Sequence, residues 1–102
     1  MRTAPALVLA LAACTPALGP GALLDPAQAE RRGAVELAVK SAFPAILEDI
    51  EAGGGPALAQ AFDAAGVPAG DRPARTLQLG GDLGLYAANP GALAAAVALY
   101  GA

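Results

Sequence analysis

The sequence predicts a mainly α fold, a small bundle of about four short helices, with a short β-hairpin as a further option near residues 75–87. Two observations carry that expectation. Apolar residues recur three and four apart in several separate stretches. Proline and glycine, with an Asp or Asn ahead of two of the prolines, stand at the junctions between those stretches.

The first start signal is Asp25 followed by Pro26, an N-cap and first-turn pair, with the firmer helix expected from about Glu30. Arg32, Glu36 and Lys40 then alternate in sign four residues apart, while Val35, Ala38 and Ala42 mark the opposite side. Pro44 interrupts this pattern and opens a second helix in which Phe43, Leu47 and Ile50 form the apolar stripe. Glu48, Asp49 and Glu51 point elsewhere. Three acids so close together suggest a cation site, but no further oxygen donors follow at a loop spacing, so a solvated helix face is the preferred reading.

Gly53, Gly54, Gly55 and Pro56 come next. Backbone amides of such a loop can hold an anion, yet no Lys with Ser or Thr follows as a phosphate loop requires. The simpler reading is that the glycines end one helix and Pro56 begins another. That third helix carries Leu58, Ala61, Phe62 and Ala65 on one face and stops at Gly66. Arg72 and Arg75 follow in a turn-rich connector. They could grip a carboxylate or phosphate and are the candidate partner contact, although two such arginines more often pair with local acids or water, which is the preferred reading.

Leu77, Leu79, Leu83 and Leu85 alternate around Gly80, Gly81 and Asp82. If those three residues form a loop, all four leucines fall on one side of a hairpin. Gly84 weakens the second strand, and an extended, unpaired segment competes with the hairpin. Asn89 and Pro90 start the last helix, whose Leu93, Val97 and Tyr100 recur at helical spacing. The run 92–100 is uncharged and apolar on nearly every side, which predicts a central or partner-packed helix.

Composition narrows the function. The chain has 102 residues and a formal charge of −3, and it is 56% hydrophobic but only 4% aromatic and 15% charged. One small domain fits these figures. There is no strongly basic balance, so a nucleic-acid binder is disfavoured. Histidine is absent, Lys40 is the single lysine and Ser41 the single serine, which leaves few groups for nucleophilic or general-base chemistry. An enzyme is not expected, and no catalytic, cofactor-binding or metal-ligating residue is assigned. Between residues 30 and 102 there are 19 larger apolar side chains and 20 alanines. Alanine lets helices approach but fills little volume, so the domain is expected to be marginal alone and to self-associate or dock on another protein.

The amino terminus has its own pattern. Arg2 precedes the unbroken apolar run 6–13, and Cys14, the only cysteine, ends it. Eight helical residues rise about 12 Å, whereas a bilayer core of about 30 Å needs roughly 20 apolar residues. The run suits an export signal and is too short to span. A longer uncharged window reaches from Arg2 to Asp25, but Pro16, Gly19, Pro20 and Gly21 break it.

Leu11, Ala12, Ala13 and Cys14 resemble the lipobox of bacterial lipoproteins. The resemblance covers only the first fifteen or so residues. It implies diacylglyceryl attachment at the Cys14 thiol, cleavage just before Cys14, and a protein held in the bacterial cell envelope by its lipid. Among enteric members of that family an Asp after the cysteine favours the inner membrane, so Thr15 points to the outer membrane, facing the periplasm. Two or three acyl chains anchor a protein almost irreversibly, where one binds marginally. The expected organisation is therefore a lipoprotein signal peptide over 1–13, a lipidated N-terminus and flexible tether over 14–29, and a small helical domain over 30–102. The partners expected are the membrane through the lipid, and a second copy or an envelope protein through the domain. Cleavage after Ala12, Ala13 or the more distant Ala27-Gln28-Ala29 site instead gives a soluble exported module.

Overall fold

The computed structural model describes residues 25–102. The tetrad Leu11, Ala12, Ala13 and Cys14, with the rest of the signal and the first part of the tether, lies outside the described residues.

Helix α1 spans Pro26–Ser41. Its first turn is set by Asp25, whose carboxylate accepts the Ala27 N–H at 3.0 Å, satisfying one of the amides that a helix start leaves open. Helical backbone therefore takes in Pro26 to Ala29, ahead of the start expected near Glu30. At Ala42 the backbone leaves helical geometry, and α2 follows over Phe43–Ala52. Pro44 enforces that break, because its ring would clash with the carbonyl four residues earlier and it offers no N–H. Gly53, with φ of 89°, ends α2 in the left-handed conformation that glycine adopts without penalty.

Helix α3, Pro56–Ala65, ends at Gly66, with φ of 73°. The N–H groups of Gly66 and Val67 return to the carbonyls of Asp63 and Phe62 at 3.1 and 3.0 Å. A 3₁₀ turn over Ala69–Asp71 leads into α4, Arg72–Gly81. One more turn, α5, covers Leu83–Tyr86. Helix α6, Pro90–Tyr100, starts at Asn89, whose side-chain oxygen accepts the Ala92 N–H at 3.0 Å.

The chain is thus mainly helical, but the hairpin near residues 75–87 is not formed, and among the described residues there is no strand. The alternation of leucines is coincidental. Leu79 is buried and Leu83 half-buried, while Leu77 and Leu85 are 78% and 64% exposed. The residues that face inward are Thr76, Leu79, Leu83 and Tyr86, spaced three, four and three apart, which is a helical stripe. Leucine and glutamine are better helix than strand formers, Pro73 sits in the first turn where it is tolerated, and the glycine pair falls at the helix end.

Helices α1, α3 and α6 pack on one another, α2 lies against α1, α3 and α4, and α5 rests on α6. The core is built from Val35 and Val39 of α1, Ile46 and Ile50 of α2, four residues of α3, Leu79 of α4, Tyr86 of α5, and Leu93, Ala94 and Val97 of α6. On α2 the stripe is rotated from the expected one: Ile46 is fully buried, and Phe43 and Leu47 pack at its edge. On α3 the expected four, Leu58, Ala61, Phe62 and Ala65, are all buried.

Candidate functional site

Several polar side chains in this small domain are committed to holding the fold, and Asp49 is the clearest case. It sits in the last turns of α2, and one of its carboxylate oxygens accepts the N–H groups of Ala57 and Leu58 at 2.9 and 3.0 Å. These are open amides at the start of α3, where a negative charge also meets the positive end of the helix dipole. The glycine loop makes room for this. A Cβ at Gly55 would overlap the Asp49 carboxylate. The anion that the loop and helix start can hold is therefore the chain's own side chain. Glu48 and Glu51 are exposed, and no group of three His, Cys, Asp or Glu residues able to hold a metal ion occurs among the described residues.

Ser41, the single serine, donates its hydroxyl proton to the Leu37 carbonyl at 2.6 Å, a back-bond that closes the end of α1.

Arg72 and Arg75 are three residues apart at the start of α4 but seat on different helices. Arg72 donates to the Val67 carbonyl through Nε and Nη2, at 3.1 and 3.0 Å, and pairs with Asp63 at 2.8 Å. Its guanidinium carbon lies 5.7 Å from the centre of the Phe62 ring. Together these contacts fasten the start of α4 to the end of α3, and Thr76 adds a bond from its hydroxyl to the Arg72 carbonyl at 2.8 Å.

Arg75 instead stacks over Tyr100 of α6, 4.5 Å from the ring centre, and donates to Gln78 at 2.9 Å. Burial raises the Tyr100 phenol above its ordinary value of 10.0. Tyr86 and Asp82 add to the rise, and the Arg75 cation opposes it.

An open apolar hollow lies elsewhere among the described residues. A groove of about 370 Å³ runs between the first turns of α1 and the last turns of α6, lined by Gln28, Arg31, Arg32, Ala95, Ala98, Leu99 and Ala102. Its floor is apolar, and Leu99 is 74% exposed. Its rim carries two arginines and no carboxylate side chain. Neither Arg31 nor Arg32 forms an ion pair with a described residue, and residues 1–24 contain no Asp or Glu. Sequence reasoning places Arg32 in a solvated charge stripe with Glu36 and Lys40 and counts Arg31 only as charge. The one signal that pointed here was the apolar circumference of α6, which exceeds what a single core covers. A smaller hollow of about 270 Å³ lies beneath the glycine loop, between Phe62 and Arg72.

Comparison of the chain with family models, with curated proteins and with solved structures gives no match.

Proposed function

We propose that the chain is a lipid-anchored protein of the bacterial cell envelope whose helical domain acts as a structural or protein-interaction module and not as a catalyst. The observation that carries this reading is the tetrad Leu11, Ala12, Ala13 and Cys14, placed directly after an apolar run too short to span a bilayer. With lipid on Cys14, the protein resides on the outer membrane and faces the periplasm, where it meets a second copy or another envelope protein.

Three features of the folded part support the reading. A conventional cut after Ala29 would remove Asp25 and Pro26, the residues that start α1, whereas a cut at Cys14, like one after Ala12, leaves the domain its first cap. The polar groups best suited to chemistry, Ser41, Asp49 and Arg72, are already bound within the chain. Leu77 and Leu85 remain exposed on α4 and α5 as contacts for a partner.

The test is intact mass of the protein extracted from membranes, beside a Cys14→Ala variant. The expected result is a chain beginning at Cys14 with an acyl increment, and loss of both acylation and that processing in the variant. A mature chain without acyl groups, found in detergent-free extracts, overturns the anchor and favours the soluble exported module.

A further inference from the structure

We propose that the groove between α1 and α6 binds an anionic phospholipid of the bilayer to which the chain is anchored, with its phosphate on Arg31 and Arg32 and an acyl chain against Ala95, Ala98 and Leu99. The proposal rests on the lipid-anchor reading above. Two observations select this occupant. The first is where the groove lies: it opens at the start of α1, three residues after the Asp25 cap. Only ten residues, Thr15 to Leu24, separate that cap from Cys14, and fully extended they reach at most about 35 Å. An anchored chain therefore keeps the start of α1 within that reach of the lipid head groups.

The second observation is its chemistry. The rim offers two guanidinium groups with no Asp or Glu side chain in the lining, and the floor is apolar. Guanidinium matches phosphate through paired N–H donors, and the alanines and Leu99 offer the hydrocarbon contact that a soluble anion would not use. One phospholipid satisfies both halves of the groove. The chain as a whole is acidic, which disfavours a broad approach to anionic lipid, so the attraction is confined to this one place.

The experiment uses the full-length gene product purified from membranes in mild detergent. Native mass spectrometry follows its adducts with phosphatidylglycerol and, separately, with phosphatidylcholine. Arg31→Gln, Arg32→Gln and Leu99→Gln are compared with Lys40→Gln, which removes a positive charge away from the groove. Circular dichroism verifies that each variant is folded. The expected result is a one-to-one phosphatidylglycerol adduct, about tenfold weaker in each groove variant and unchanged in Lys40→Gln. Equal binding of the two lipids, no adduct, a dimer that excludes lipid, or groove variants that behave like wild type overturns the proposal. The denatured spectrum of the same sample reports the covalent acyl mass on Cys14, so failure of the anchor and failure of the groove are read separately.

Discussion

Helices α3 and α6 are nearly equal in length, both begin at a proline, and both lie in the packed centre of the domain, yet they relate to the rest of the molecule differently. Helix α3 buries Leu58, Ala61, Phe62 and Ala65, and its remaining polar residues face out. Each of its ends is held by another element's side chain, Asp49 at the start and Arg72 at the finish. Helix α6 buries Leu93, Ala94 and Val97 but leaves Leu99 and Ala95 in the open. The core accounts for α3 completely, whereas α6 carries more apolar surface than the core covers. That surplus is the surface on which the proposed lipid contact rests.

The largest break in this comparison comes from truncating one large side chain on each helix. Phe62 is 2% exposed, so Phe62→Ala should cost about 3–5 kcal/mol in urea unfolding, enough to unfold a marginal domain. Leu99→Ala, on a surface side chain, should stay within about 0.5 kcal/mol. Comparable losses at the two sites would mean that Leu99 is covered in solution, and the contrast between the helices would fail.

The next effect lies where the two helices touch. A Cβ at Gly101 would overlap the Ala65 carbonyl oxygen, so Gly101→Ala must push the end of α6 away from the end of α3. A loss of about 1–3 kcal/mol is expected, as for other overpacked contacts. An unchanged melting curve would show that this approach is looser than described.

Somewhat smaller is the cap on α3. Asp49→Ala should cost about 1–2 kcal/mol, and Asp49→Asn less, since the amide keeps an acceptor while losing the charge that favours a helix start. Gly55→Ala should act on the same contact from the other side. In a double-mutant cycle with Asp49→Ala its cost should be non-additive. Simple additivity would separate the loop from the cap.

How far the sequence foretells this structure depends on whether a residue's role is local. The stripe of α3 is readable because Leu58, Ala61, Phe62 and Ala65 follow one period between a starting Pro56 and a stopping Gly66. Residues 75–87 mislead because period-two leucines flank a glycine pair, and a helix interrupted by Asp82 imitates two strands around a turn. The inward pattern that betrays the helix includes Thr76 and Tyr86, which a search for leucines passes over. Pairing of Arg72 with a local acid is the preferred expectation, and Asp63 meets it, but the cap made by Asp49 and the clasp of Arg72 on Val67 escape sequence reasoning for another reason. Their partners lie five to nine residues away across loops, and only the left-handed turns at Gly53 and Gly66 bring them within reach. The groove is less readable still, since its two sides are about seventy residues apart in the chain.

The smallest expected effect separates the two helices by pH. Both tyrosines of the chain lie on α5 and α6, none on α3, so phenol ionisation acts on the α6 side alone. Burial, and then Tyr86, hold the Tyr100 proton more tightly in the folded chain than its ordinary value of 10.0. The unfolded chain therefore releases this proton first as pH rises. The contribution of Tyr100 to stability is accordingly full below about pH 10 and is lost as pH climbs from there through the folded value. Tyr100→Phe should flatten that alkaline decline, measured as urea midpoints between about pH 8 and 11. Arg75→Gln should steepen it, because the cation over the ring is the one neighbour that favours the phenolate. An identical decline in Tyr100→Phe would place the alkaline weakness elsewhere in the bundle and remove pH as a means of telling α6 from α3.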